Sequence, residues 1–173
     1  MDAFFTVDRT RCLYSGAIIE LVRHGDIQPM VLQTHVNELY PEGLSVHGDR
    51  YLLQSGSRGN IASPAIELLF EYIRRAHYPS SPSRFQCIFS CSSIEDARTF
   101  RDQYGESDSP IWEVRTENTY HVGNMRLLDN NQTSLLCSYL GHEYWRGNDG
   151  PTELAGLREV VLSLPVVIGE RIE

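Results

Sequence analysis

The sequence contains no lysine. All 15 of its basic residues are arginine, against 23 acidic residues, which gives a net charge of −8 at pH 7. This acidic balance argues against a general nucleic-acid-binding surface, which normally carries a basic stripe. A chain without lysine also escapes modification on lysine, and arginine is the better side chain for bidentate contacts to phosphate. The base composition of a GC-rich genome explains the same bias alone and is the favoured explanation.

Other absences exclude further classes of protein. No apolar run reaches the roughly 18 residues of a membrane span, and the N-terminus MDAFFTVDRT lacks the basic and apolar regions of a signal peptide. The four cysteines form no CxxC pair and the six histidines no pair at ligand spacing, so we expect no disulfide framework and no metal. P-loop, Rossmann, GxSxG, HExxH and EF-hand motifs are missing. We therefore expect a soluble cytoplasmic protein without membrane contact.

The chain has enough apolar residues for a folded core. Its 173 residues are 41% apolar, which predicts one domain spanning 1–173. The clearest helix is 63–79, with Ser63 as the N-cap and Pro64 at the first helical position. The order of the predicted elements lacks regular βαβ alternation and predicts an α+β fold. Strands are predicted at the start of 4–13 and at 17–22, 85–90 and 110–117, and two strands joined near Pro165 are predicted within 158–172. Helices are predicted at 63–79 and 92–105, and shorter helices within 30–43 and 132–145. The stretch 43–60 is predicted to be irregular.

The segment FSCSS (89–93) lies between a predicted strand and a predicted helix. Ser92 or Ser93 can cap that helix, whose first turn carries Glu95 and Asp96. A strand end with three small polar residues also suits the wall of a ligand pocket. Capping alone and capping combined with a pocket both remain open at this point.

The same segment resembles the F-S-T-S motif of ADP-ribosyltransferases, in which a helix of the pattern S-x-x-x-x-A-x-x-F follows. Here Ala97 and Phe100 occupy the last two positions of that pattern. FFTVDRTRCL–SGAIIEL is similar to the first strand of small bacterial rifampicin-modifying members, and PIWEVRTE to the strand after the helix. REVVLSLPVVI resembles the closing segment that carries the catalytic glutamate. Leu157 stands where the biglutamate pattern has Glu or Gln.

The resemblance implies two small facing β-sheets with flanking helices around an NAD cleft. It also implies an enzyme that transfers ADP-ribose from NAD to an acceptor and releases nicotinamide. Glu159 would be the catalytic carboxylate, with Ser90 or Ser92 as its hydroxyl partner. Cleavage of the nicotinamide–ribose bond develops positive charge on the ribose, which a carboxylate aimed at that ribose stabilises.

Five further residues are expected to bind NAD. Thr6 occupies the position of the family's first-strand histidine, and Arg9 follows closely and can clamp the diphosphate. His47, in a His-Gly pair, can replace that histidine. Phe89 or Tyr51 can stack on nicotinamide.

The acceptor stays open: protein, nucleic acid or a small molecule. Similar small members act as toxins or phage-defence effectors, which makes an antitoxin or immunity protein a candidate partner. Glu143, in HEYWRG, is a rival catalytic carboxylate, and Cys91 is a weaker rival as a nucleophile because no His/Asn arrangement accompanies it. The alternatives are an NAD glycohydrolase, a non-catalytic binding module on the same fold, and an unrelated fold in which Arg9, Ser90 and Glu159 lie far apart.

Overall fold

The fold contains seven strands and five α-helices within the residues described. The computed structural model describes residues 2–54, 61–128, 131–154 and 156–173. The strands are β1 (Asp2–Val7), β2 (Ile18–Ile19), β3 (Cys87–Ser90), β4 (Ile111–Thr116), β5 (Tyr120–Asn124), β6 (Arg158–Ser163) and β7 (Val166–Arg171). The helices are α1 (Met30–Leu39), the single turn α2 (Val46–Gly48), α3 (Pro64–His77), α4 (Ile94–Tyr104) and α5 (Ser134–Trp145). A π-helix spans Asp49–Leu53, and short 3-10 helices span Arg84–Gln86, Met125–Leu127 and Thr152–Leu154.

The strands form two antiparallel sheets. One has four strands in the order β1-β4-β7-β2, and the other has three in the order β3-β6-β5. An isolated antiparallel bridge between Phe5 and Cys91 links the two sheets. The expected α+β class with two small sheets is therefore confirmed.

One apolar core lies between the two sheets. A second lies between the other face of the three-stranded sheet and helices α3 and α5. Phe4 and Val114 of the first sheet pack with Val160 and Leu162 of the second. On the other face of the three-stranded sheet, Val161 packs with side chains of α3 and α5. Alternate residues of β6 thus face opposite cores, as the period of a strand requires.

Local sequence signals determine where helices α3 and α4 begin. Ser63 caps α3 by accepting a hydrogen bond from the backbone N–H of Ile66, and Pro64 is the first helical residue, both as predicted. Ser93 caps α4 by accepting from the N–H of Asp96 at 3.1 Å. Of the two capping candidates in FSCSS, Ser93 is the one that caps.

Two predicted segments turn out differently. The strand expected over 17–22 is paired only at Ile18–Ile19, because the chain then leaves the sheet and Val22 bridges Leu44 instead. The stretch 43–60 was expected to be irregular, but 46–53 is helical; 55–60 lie outside the described residues. No helix in the described part of the chain is both long and apolar enough to cross a bilayer.

Candidate functional site

A cavity of about 150 Å³ opens between the two sheets, α3 and the π-helix. An engineered cavity of about that volume holds one benzene molecule, so there is room for one six-membered ring. Ser92 does not line it, but the other seven predicted site residues do. They are Thr6, Arg9, His47, Tyr51, Phe89, Ser90 and Glu159.

Three strands bring Thr6, Ser90 and Glu159 together. Thr6 on β1 donates its hydroxyl to the carbonyl of Phe89 at 2.8 Å, which holds β1 against the end of β3. Ser90, the last residue of β3, pairs with Val160 on β6. The residue before Val160 is Glu159, so strand pairing alone places the serine and the glutamate at the same end of the sheet. The fold in which Arg9, Ser90 and Glu159 lie far apart is ruled out.

Glu159 is buried, and one of its carboxylate oxygens is held by two donors. Its Oε1 accepts hydrogen bonds from the Tyr144 hydroxyl at 2.7 Å and from Nη1 of Arg84. Among the described residues, no donor reaches its other oxygen, Oε2. The carboxylate therefore has a fixed end and an end that is available to a ligand in the cavity.

Arg84 is held in place by a second buried carboxylate. Its Nε and Nη2 donate to the two oxygens of Glu67 at 2.6 and 2.8 Å, and its guanidinium lies over the Phe89 ring at 4.7 Å. Burial alone would lower the pKa of Arg84, but Glu159 and Glu67 hold it well above its usual value. Burial would raise the pKa of Glu67, yet Arg84 and His47 together hold it far below its usual range. Both groups are therefore charged at neutral pH.

His47 and Tyr51 form a stacked pair on one wall. Their ring centroids are 4.3 Å apart and the rings are tilted by 26°. His47 Nε2 lies 3.4 Å from a Glu67 oxygen but forms no hydrogen bond in the described structure. The Tyr51 hydroxyl accepts from the N–H of Ile61 at 3.0 Å. One face of Tyr51 is thus covered by His47, as one face of Phe89 is covered by the Arg84 guanidinium.

Two arginines give the cavity a positive side. Arg9 is exposed at its mouth and donates to the Tyr104 carbonyl at 3.2 Å, while Arg50 comes from the π-helix. Partial burial and the nearby charge of Arg50 lower the pKa of Arg9. Arg50 makes no ion pair with any residue that the structure describes. Because two positive charges repel each other, an anionic ligand between the two guanidinium groups would be stabilised.

Different serines of FSCSS serve the two roles that the sequence left open: Ser93 caps the helix, and Ser90 lines the cavity. Ser90 is 4% exposed, lines the cavity, and its Oγ has no hydrogen-bond partner among the described residues. Ser92 is exposed and does not line the cavity, so the structure does not bring it together with the other predicted site residues. A buried hydroxyl without a partner costs free energy and marks a place where a ligand can bind.

The surroundings of Glu143 and Cys91 do not favour their alternative roles as catalytic carboxylate and nucleophile. Glu143 pairs with Arg146 at 2.9 Å and with Asn148 at 3.1 Å and does not line the cavity. Cys91 does line the cavity, but burial raises the pKa of its thiol to about 12, which removes the thiolate that a nucleophile needs.

Sequence reasoning missed the two residues that hold Glu159, Arg84 and Tyr144, and also Glu67, which holds Arg84. Arg84 lies in a loop-like stretch, Glu67 in a helix and Tyr144 beside the rejected Glu143. Glu67 alone left a signal, because a glutamate next to Ile66 falls on the buried face of the predicted helix. No group of three metal-binding side chains occurs in the described ranges.

The chain matches the sequence model of one protein family. The match covers residues 9–173, and the family is described as "Protein of unknown function (DUF2441)". The chain belongs to this family. No curated protein matches it.

Proposed function

We propose that this DUF2441 chain binds the nicotinamide–ribose end of NAD in the cavity and transfers ADP-ribose from NAD to an acceptor. The observation that carries the proposal is that one small cavity is lined by both Glu159, whose hydrogen bonds from described residues all go to Oε1, and Ser90, whose buried hydroxyl has no described partner. The family resemblance assigns both residues to catalysis, with Ser92 as the alternative serine.

The charges of the cavity suit NAD. Arg84, Glu67 and Glu159 carry one positive and two negative charges, so the floor of the cavity keeps a net negative charge. Arg9 and Arg50 add positive charge to the lining of the same cavity. NAD has a cationic nicotinamide ring and an anionic diphosphate, and the lining offers a charge of the opposite sign to each.

The chemistry follows from the position of the carboxylate. The bond between ribose C1′ and the nicotinamide nitrogen breaks, and its electron pair stays on that nitrogen, which becomes neutral. The ribose becomes an oxocarbenium-like cation, which Glu159 stabilises more strongly than it stabilises the ground state. The acceptor's nucleophile then bonds to C1′ and loses its proton to solvent or a base.

Other residues of the cavity would bind rather than react. The nicotinamide ring would fill the space beside Phe89, and the diphosphate would lie between Arg9 and Arg50, where guanidinium groups form bidentate hydrogen bonds. Thr6 is committed to the Phe89 carbonyl and would shape the wall.

The test is nicotinamide release from labelled NAD by purified protein, with cell lysate as the source of acceptor. We expect release by the wild type and at least a 100-fold loss in Glu159→Gln, measured on folded protein. Glu143→Gln is the matched control, since it changes a glutamate outside the cavity and should keep full activity. Transfer of label to a macromolecule or small molecule identifies the acceptor.

Other outcomes decide against parts of the proposal. Release without any labelled product would mean that water is the acceptor and that the chain is a glycohydrolase. Absence of release with every acceptor would leave a non-catalytic binding module. Activity that survives Glu159→Gln and disappears in Glu143→Gln would reverse the assignment of the carboxylate.

A further inference from the structure

We propose that Arg84 and Tyr144 are positioning residues that fix the Glu159 carboxylate with Oε1 held and Oε2 presented to the cavity, and that Glu67 supplies the counter-charge that makes this arrangement work. What the presented oxygen does rests on the proposed function. The arrangement itself is independent of the reaction.

The first step is the geometry around Oε1. The Tyr144 hydroxyl donates to Oε1 at 2.7 Å and also accepts from Nη1 of Arg84 at 2.5 Å, while the same Nη1 donates to Oε1. The three groups form a closed triangle of hydrogen bonds. Rotation of the carboxylate would break two of them together, so Oε1 stays with its two protein donors and Oε2 stays without one among the described residues.

The second step is the rigidity of the donors. Arg84 is 3% exposed, and its guanidinium lies between the Phe89 ring at 4.7 Å and the Tyr144 ring at 5.2 Å. Tyr144 is completely buried on α5. Neither donor has space to follow a moving carboxylate.

The third step is charge. An arginine paired with Glu159 alone would cancel the negative charge that the proposed reaction needs. Glu67 takes two of the Arg84 hydrogen bonds and balances its charge, so that Glu159 keeps its own. The guanidinium can therefore orient the carboxylate without neutralising the floor of the cavity.

Helix α3 contains a second cluster of the same chemistry away from the cavity. Glu71, one turn after Glu67 and also fully buried, accepts two hydrogen bonds from Arg74, at 2.8 and 3.0 Å, and one from Arg75 at 3.0 Å. None of these three residues lines the cavity. This cluster provides matched control substitutions for the one at the site.

The kinetic test compares Tyr144→Phe and Arg84→Lys with Tyr40→Phe and Arg74→Lys. Tyr40 is another buried tyrosine, packed with Val36 and Leu44 outside the cavity. We expect kcat for nicotinamide release to fall on the order of 10–100-fold in the first two variants while KM for NAD stays within about twofold, because misplacement affects the transition state more than substrate binding. The controls should keep wild-type kcat and KM. A rise in KM at constant kcat, or equal losses in the controls, would overturn the positioning role.

A second readout does not need activity. In protein labelled with ¹³C-glutamate, relaxation of the Glu159 side chain, assigned by its loss in Glu159→Gln, reports how rigidly the carboxylate is held. We expect a rigid side chain in the wild type and in Tyr40→Phe, and a mobile one in Tyr144→Phe. A Glu159 side chain that is equally mobile in all three proteins overturns the inference. A wild type that releases no nicotinamide but shows the expected relaxation pattern overturns only the proposed function.

Discussion

Phe5 and Cys91 are joined by two backbone hydrogen bonds, Cys91 N–H to the Phe5 carbonyl at 2.7 Å and Phe5 N–H to the Cys91 carbonyl at 3.0 Å. This pair joins the edge of the four-stranded sheet to the end of β3. The neighbours of this pair, Thr6 and Ser90, both line the cavity. The cavity is therefore a consequence of how the two sheets meet.

Substitution of the two serines with separate roles should have opposite effects on stability and activity. Ser90→Ala removes a buried hydroxyl that has no described partner, so the free energy of unfolding should stay the same or rise, while nicotinamide release falls at least tenfold. Ser93→Ala removes the N-cap of α4 and should lower the free energy of unfolding by about 1 kcal/mol without changing release. Urea unfolding and initial rates on both variants measure this. A marked loss of stability in Ser90→Ala would show that its hydroxyl is bonded within the protein.

The arginines at the mouth should determine affinity for the diphosphate. Arg9→Gln and Arg50→Gln each remove a charge beside the cavity and should weaken ADP-ribose binding roughly 10-fold or more, the value of a charge-assisted hydrogen bond. Calorimetric titration of ADP-ribose provides the measurement. Arg115→Gln is the control, since Arg115 pairs with Glu113 on β4, outside the cavity, and its loss should leave affinity unchanged. Equal affinity in all four proteins would place the diphosphate elsewhere.

Gly123 gives Tyr144 the space that it occupies. A Cβ built on Gly123 would lie 2.4 Å from the Tyr144 ring, closer than any real contact, and that ring is fully buried. Gly123→Ala should therefore lower the free energy of unfolding by about 1–3 kcal/mol, the cost of overpacking, and reduce turnover by displacing the Tyr144 hydroxyl. Thermal unfolding of Gly123→Ala and of Gly25→Ala, whose added Cβ would meet nothing within 4 Å, makes the comparison. Equal melting temperatures would show that the Tyr144 ring moves aside at no cost.

Short sequence motifs predict several elements of the fold and, together with the family resemblance, the two site residues Ser90 and Glu159. Ser63 and Pro64 predict the start of α3 because capping depends only on neighbouring residues. The strand ends that carry Ser90 and Glu159 were found in the same way, from short motifs and a family resemblance. Their meeting in one cavity was expected from that resemblance, and the pairing of Ser90 with Val160 shows how it happens.

The remainder depends on contacts between distant parts of the chain. Arg84 contacts Glu67, 17 residues earlier, and Glu159, 75 residues later. No local pattern encodes such partners, because a buried arginine is tolerated only once the fold supplies its carboxylates. Ser92 shows the converse: it lies within the motif, but its side chain is exposed outside the cavity, and a motif does not encode which of its residues face a cavity.

His121 should make the stability of the folded protein depend on pH below neutrality. The His121 ring is half-buried, and its Nε2–H donates to the Tyr144 carbonyl at 2.8 Å. Burial lowers the pKa of His121, and the charges of Arg84 and Arg158 lower it further, while the carbonyl partly offsets both. In the unfolded chain the pKa returns to about 6.5. The unfolded state therefore binds a proton at a higher pH than the folded state does.

As the pH falls below about 6.5, this difference should cost the folded protein stability, by at most about 1.4 kcal/mol per pH unit for one proton. His121→Gln keeps a donor for the Tyr144 carbonyl but cannot titrate. We expect the free energy of unfolding in urea to fall less between pH 7.5 and 5.5 in His121→Gln than in the wild type. His35→Gln is the control, because His35 is exposed on α1 and should leave the wild-type pH dependence unchanged. If wild type and His121→Gln lose the same stability over this range, the proton is taken up elsewhere and His121 does not cause the loss.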